Sequence, residues 1–306
     1  ESGQALHWRG IVRAYACPSD HAIVRVRNGV GGREGILVKV QPLSDKFGAA
    51  IRGLDLTGPL SEGDARAIAG ALYQHAVVCI PGQDLEPAQL QDFGARFGTP
   101  IHHVEEDLRL DGTPGVMSLS NADGRPARQR NGGAFWHTDL VFTEEPASVT
   151  MLRAVAVPKV GGETLFADQF AAYDALSDKM KALIGALVAA HCYEGRTDGS
   201  MPTVHHPLVR PHPVTGRKAL YGAAGTGIGI AGLPEDEARC LLDELADHAT
   251  AEEFVYRHFH RVGDVVMWDN AATLHSGPVL DPARGSDDAR VMHRVSVRGW
   301  PAAGSA

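Results

Sequence analysis

The sequence is poor in cysteine, has no membrane-length apolar run and carries no excess of positive charge. Each shortage removes a class of function. The four cysteines, Cys17, Cys79, Cys192 and Cys240, contain no CxxC pair and form no dense framework. Buried free thiols in a reducing cytoplasm are the expectation. No apolar stretch approaches the ~18 residues of a bilayer span, and the first residues lack the apolar core of a secretory signal. The reading is therefore of a cytoplasmic protein with no membrane partner. The net charge of −8 argues against nucleic acid as a partner. No internal repeat or low-complexity tract is present. What remains is a chain of 306 residues, 44% apolar and 22% charged, which is ample for one large domain with a sizeable core.

Residues 1–35 differ from the rest. Arg9, Arg13, Arg25, Arg27 and Arg33 are scattered among a glycine cluster, without periodicity. We read this stretch as a poorly ordered or artefactual extension, in which "AIVRVR" could add an edge strand. The ordered domain is expected over 36–306. There "ILVKVQPL", "AAIRGLDL", "VVCI", "SVTMLRAVAV", "ETLFAD", "EEFVYRHFH", "DVVMWDN" and "RVMHRVSVRG" read as strands. "SEGDARAIAGALYQHA" reads as a helix, with Ser61 and Asp64 as an acidic capping box and Ala65, Ile68, Ala69 and Leu72 as its apolar stripe. "EPAQLQDFGARFG" and "PEDEARCLLDELADHA" are further helices, and a helical stretch runs up to Leu187. The Pro- and His-rich segment 195–232, including "GAAGTGIGIAG", reads as loop. Its glycines lack the strand–turn–helix frame of a nucleotide site. Val104 to Asp123 reads as a lid. The balance favours a mainly β sandwich or barrel with surrounding helices.

Two sites carry the chemistry. "FWHTDLVF" sets His137 two residues before Asp139, on one face if the run is a strand. Far downstream, "VVMWDNAATLHSGP" places a lone His275 after a strand and a turn. Two imidazoles and one carboxylate can occupy one face of an octahedral Fe(II) and leave three positions open. Further on, Arg290, Arg294 and Arg298 are spaced four apart, so a strand would aim all three alike and build an anion site. His293 falls on the opposite face. Phe135, Trp136 and Trp268 are candidates for an apolar wall, or ordinary core aromatics.

The stretches "WHTD", "GGETLFAD", "WDNAATLH" and "RVMHR" resemble the taurine catabolism dioxygenase family, with the closer likeness to its 2,4-dichlorophenoxyacetate branch. The likeness runs from about Ile36 to Arg298. It implies a double-stranded β-helix, or jelly roll, which agrees with the sandwich. It implies Fe(II) on His137, Asp139 and His275, with 2-oxoglutarate as cosubstrate and O2 as oxidant. It assigns Thr164 and Arg290 to the distal carboxylate of 2-oxoglutarate, and Arg294 to the anionic head of a small-molecule substrate. His102 or His103 falls where the family often contributes a substrate-contacting histidine. The implied reaction hydroxylates a small anionic compound of the aryloxyalkanoate type, releasing succinate and CO2. A sulfonate such as taurine, or an N-acyl amino acid, is the alternative, although "NGGAF" before the HxD motif lacks the polar residues of the taurine enzymes. A Zn or Mn hydrolase could use the same triad but has no need of Thr164 and Arg290. The resemblance further implies a homo-oligomer.

Overall fold

Two β-sheets packed face to face make the body of the computed structural model, which describes residues 22–24, 38–103, 106–193 and 202–300. The larger sheet runs, in spatial order, Ala22–Val24, Val38–Pro42, Ala49–Arg52, Val77–Ile80, Val265–Asp269, Val149–Ala156, Val291–Arg298, Thr113–Ser120 and Arg109–Leu110. Thr99–Pro100 pairs separately with the end of Val291–Arg298. The pairing of Ala49–Arg52 with Val77–Ile80 is parallel. The helix Glu62–His75 makes the crossover that such a pair requires. In the smaller sheet Thr164–Asp168 lies between Val255–His258 and Thr273–Ser276, antiparallel to both.

The period-two alternation of the strands sorts side chains into three layers. Val265 and Met267 face outward, with Val78, Ile80, Met151 and Val295, under the helices Glu62–His75 and Pro87–Ala95. Val266 and Trp268 face inward, with Val77, Cys79, Leu152 and Met292, and meet Phe166 and Tyr256 of the smaller sheet. The far side of the smaller sheet, including Ala167, Leu274 and Val255, is closed by the helix Glu235–Ala249 through Leu241, Leu242 and Leu245. This is the double-stranded β-helix with helices outside. The predicted cap forms, with the Ser61 hydroxyl accepting from the Asp64 N–H at 3.1 Å.

Four expectations change. The segment read as loop contains the strands Val204–Pro207, Val209–Pro211, Lys218–Leu220 and Gly227–Ile230. Three or four residues broken by proline and glycine are too short to show a period. The helical stretch before Leu187 is two helices, Gln169–Ala175 and Asp178–Ile184, because the Ser177 hydroxyl caps the second by accepting from Met180 N–H. Thr113–Ser120 is a sheet strand paired with Val291–Arg298, so a lid over 104–123 does not exist as read. Val104 and Glu105 lie outside the described residues. Cys240 is exposed, because the buried stripe of its helix runs through Ala238, Leu241, Leu242 and Leu245, whereas Cys79 and Cys192 are buried. Ala22–Val24 does add an edge strand, paired with Val38–Pro42. The remainder of the proposed extension, with Cys17, lies outside the described residues. Among the described residues no helix is long and apolar enough to cross a membrane.

Candidate active site

His137 reaches its place without a strand. It makes a single antiparallel bridge with His275, each backbone N–H donating to the other's carbonyl at 3.0 and 2.9 Å. The chain then turns at Leu140, whose φ is +57°. A left-handed residue other than glycine costs roughly 1–2 kcal/mol. Here the Thr143 N–H and hydroxyl both donate to the Leu140 carbonyl and hold the bend. The strand reading of "FWHTDLVF" is therefore corrected: the run makes one bridge at His137 and turns from Asp139 onward.

His275 arrives from the other direction. The strand Val265–Asp269 ends in the larger sheet, and the chain crosses to Thr273–Ser276 in the smaller one within a few residues. Asp269 fixes the crossing. Its carboxylate accepts from Ala271 N–H at 2.9 Å and from His212 Nε2 at 2.7 Å, and its carbonyl accepts from the Thr273 hydroxyl at 2.8 Å. The sheet-to-sheet step is what "WDNAATLH" encodes.

The three side chains then form one cluster. His137 Nε2 is 3.7 Å from Asp139 Oδ1, and His275 Nε2 is 3.6 Å from Asp139 Oδ2. The three donor atoms all lie within 4.8 Å of one another. These separations exceed a hydrogen bond and leave a gap that an ion can bridge. His137 Nδ1 donates to the Phe135 carbonyl at 2.7 Å, so its Nε2 presents a lone pair inward. Burial holds both imidazoles below their ordinary range, His275 well below it, against the pull of Asp139. Burial also opposes ionisation of Asp139. Arg294, then the two histidines and the Thr150 hydroxyl, outweigh it and keep the carboxyl well below the usual carboxylate range. Two neutral imidazoles and one carboxylate suit Fe(II).

Arg294 donates to Asp139 Oδ1, and its Nε donates to the Ser296 hydroxyl at 3.3 Å. Arg290 is buried deeper, its Nε donating to the Gly162 carbonyl at 2.9 Å and its Nη2 to the Thr164 hydroxyl at 3.3 Å. Burial lowers the Arg290 guanidinium to about 10, which leaves it charged at neutral pH. Gly162 is a glycine for a spatial reason. Its φ is +81°, and a Cβ there would meet Pro158 at 2.6 Å and Arg290 Cδ at 3.5 Å. Arg298 does not join the pair. Its Nε donates to the Glu145 carbonyl, so the three arginines do not share one target.

A cavity of about 600 Å³ connects these groups. His137, Asp139, His275, Thr164, Arg290 and Arg294 all line it, and Phe135, Trp268, Leu152 and Phe142 give it an apolar wall. Trp136 is not in the wall. It packs against the core beside the smaller sheet. His103 lines the cavity, whereas His102 is exposed and does not. His293 lies away from the cavity, as its register predicts.

Composition and spacing did not single out several residues that build the site. Thr150 donates to Asp139 Oδ2 at 2.7 Å, Asn270 Nδ2 donates to Thr150 Oγ1 at 3.0 Å, and Trp268 Nε1 donates to Asn270 Oδ1 at 3.2 Å. The signal for Asn270 was present in "WDN". Gly225 in "GAAGTGIGIAG" also has a role. With φ +91°, a Cβ there would come within 3.0 Å of His137 Cβ and the Trp136 carbonyl. The glycine-rich stretch fits the backbone of the HxD turn. A second donor group, Cys79, His258 and Asp264, is buried between the sheets. Burial, and then Asp264, pushes the Cys79 thiol up to about 12. The Tyr256 hydroxyl lies 2.8 Å from His258 Nδ1, while His258 Nε2 faces Asp264 Oδ2 at 3.8 Å.

The description "Taurine catabolism dioxygenase TauD, TfdA family" matches residues 39–296. The alpha-ketoglutarate-dependent 2,4-dichlorophenoxyacetate dioxygenase of Cupriavidus pinatubonensis is 34% identical over 273 residues, covering 80% of this chain and 93% of its own. The alpha-ketoglutarate-dependent sulfate ester dioxygenase of Pseudomonas putida is 31% identical over 281 residues, covering 85% of this chain and 89% of its own. The solved structure of AAD-2 in complex with Mn(II) and N-oxalylglycine superposes with a TM-score of 0.76 at 34% identity, covering 86% of this chain and 98% of that one. The chain belongs to the taurine catabolism dioxygenase TauD, TfdA family and is a non-haem iron dioxygenase that uses Fe(II), 2-oxoglutarate and O2.

Proposed function

We propose that His137, Asp139 and His275 hold the Fe(II), and that Thr164 and Arg290 take the distal carboxylate of 2-oxoglutarate. Arg294 and His103 then receive the anionic head of a small aryloxyalkanoate-type substrate. The observation that carries this reading is one cavity lined by a His–Asp–His cluster and, among its arginines, by Arg290 and Arg294 at different depths. When bound, Fe(II) with 2-oxoglutarate and O2 supplies the oxidant that removes hydrogen from a C–H bond, and succinate and CO2 are released.

The chain's own residues set the conditions. Asp139 stays ionised and the imidazoles stay neutral, so all three present lone pairs. Arg290 meets a dicarboxylate with a rigid fork in a dry setting, where such a pair is strong. Leu152 and Trp268, both buried, exclude water from the reacting end. The cavity takes 2-oxoglutarate as well as substrate, and the apolar wall beside Arg294 fits an aryl group next to a carboxylate. Hydroxylation beside an ether oxygen gives a hemiacetal that breaks to a phenol and glyoxylate.

The test is succinate formation with Fe(II), ascorbate and 2-oxoglutarate across phenoxyacetates, phenoxypropionates, alkyl sulfates, taurine and N-acyl amino acids. Phenol release from a phenoxyalkanoate is the expected result. Stimulation by sulfur oxyanions alone would move the substrate class to the sulfate esters and sulfonates. Turnover with Zn(II) and no keto acid would replace the reading by a hydrolase.

A further inference from the structure

We propose that His260 is a positioning residue for 2-oxoglutarate: as the Nε2–H tautomer it donates to Thr164 Oγ1 and so turns the threonine's only proton toward the distal carboxylate. The inference rests on the assignment of Thr164 and Arg290 to that carboxylate and adds a residue behind them.

His260 Nε2 lies 2.8 Å from Thr164 Oγ1, with Thr164 only 1% exposed. Arg290 Nη2 already donates to the same oxygen at 3.3 Å. A hydroxyl has two acceptor sites and one proton. If His260 donates as well, both acceptor sites are filled by N–H groups, and the proton is left for the cavity, which Thr164 and Arg290 both line. A carboxylate entering there meets a hydroxyl donor beside a guanidinium. If His260 instead accepted, the Thr164 proton would point away from the cavity. The carboxylate would then face an oxygen lone pair, and His260 Nδ1 would be a buried N–H with no acceptor. Nδ1 is buried and has no partner, and a bare lone pair is the less costly of the two orphans. The ring is held by an edge-to-face contact with His258, centroids 4.7 Å apart. His260 does not line the cavity, so its effect passes through Thr164.

The experiment measures 2-oxoglutarate binding calorimetrically to the full chain loaded with Mn(II), for wild type, His260→Leu, His260→Gln, Thr164→Val and the Thr164→Val/His260→Leu double variant. 2-Oxobutyrate, which has the same chelating end and no distal carboxylate, is the contrast. His260→Leu should weaken 2-oxoglutarate about tenfold and leave 2-oxobutyrate unchanged. His260→Gln, which keeps an N–H donor, should recover most of the loss. In the Thr164→Val background, His260→Leu should add nothing. In turnover the 2-oxoglutarate KM should rise while kcat holds. Equal losses for both keto acids, or additive losses in the double variant, would overturn the proposal by making His260 merely structural. An unchanged affinity in His260→Leu would also overturn it. If His260→Leu does not fold, His260→Asn carries the same expectation, because its shorter amide does not reach Oγ1. Failure of wild type to bind 2-oxoglutarate, or indifference to Thr164→Val, would instead remove the assignment beneath the proposal.

Discussion

Asp139, the proposed carboxylate ligand, is shared by more partners than a metal would need. Arg294 and Thr150 each donate to it, and both histidines face it. Asp139→Ala should therefore abolish turnover and also lower the thermal midpoint, because it leaves the largely buried Arg294 without its counter-charge. Removing one partner of a buried pair costs on the order of 3–5 kcal/mol, and the remaining exposure of Arg294 brings the expected loss toward the low end. Circular dichroism should still show a folded sheet protein, and near-normal product formation would refute the ligand assignment. Arg290→Ala acts on another step. Losing a charged hydrogen-bonding partner in a buried site costs about 3 kcal/mol, so the 2-oxoglutarate requirement should rise by roughly 10²-fold. An unchanged requirement would mean another group holds that carboxylate. The candidate ligands were legible in the sequence as an HxD and a distant lone histidine, a set that suits Fe(II), whereas the roles of Thr164, Arg290 and Arg294 came only with the family resemblance. The supporting hydrogen bonds were not, since Thr150 and Ser296 look like any polar residue on a strand until their neighbours across the sheet are known.

Among the elements, the helix Pro87–Ala95 sets how firmly the arginine strand is held. Gly94 lies on its buried face, and a Cβ there would sit 2.6 Å from Val295 Cγ1, with Met151 Sδ at 3.5 Å behind. Alanine is worth up to about 1 kcal/mol over glycine in a helix interior. Overpacking a filled core costs about 1–3 kcal/mol. Gly94→Ala should therefore destabilise, by up to about 2 kcal/mol net in denaturant titration, against the propensity rule. A gain in stability would mean that Val295 can swing aside freely. The strands Val149–Ala156 and Val291–Arg298 and the two helices covering the larger sheet could be read in advance because each is long enough to show its period, whereas Thr113–Ser120, which opens on Thr-Pro-Gly, reads as part of a lid. The HxD segment could not, since its apolar run imitates a strand while the bend at Leu140 depends on contacts with Thr143. The glycine-rich stretch failed for a related reason: Gly225 is small to fit His137, a neighbour distant in sequence.

For the molecule as a whole, the number of histidines buried as neutral rings makes stability a function of acidity. Burial, and then His206 and His205, lowers the His191 imidazole to about 4, against an ordinary value of 6.5. Burial likewise lowers His75, His206 and His293. Between pH 6.5 and the folded values the unfolded chain binds more protons than the native one. Stability is therefore fully present above about 6.5 and is lost as pH falls. The share of His191 is on the order of 3 kcal/mol, from a displacement of two to three pH units at about 1.4 kcal/mol each. In metal-free protein the thermal midpoint should fall steeply from pH 6.5 to 4.5, and His191→Gln should flatten that slope. An equal slope in the variant would show that His191 is not buried as a neutral ring.

The central claim is that three residues brought together by one backbone bridge and one sheet-to-sheet crossing form a single iron site that also admits 2-oxoglutarate. Anaerobic titration of the protein with Fe(II) and 2-oxoglutarate, followed by visible absorption, reads that directly through the charge-transfer band of a chelated keto acid. Wild type should develop the band at one equivalent of each component, and His275→Ala should not. A full band in His275→Ala, or none in wild type, would contradict the account.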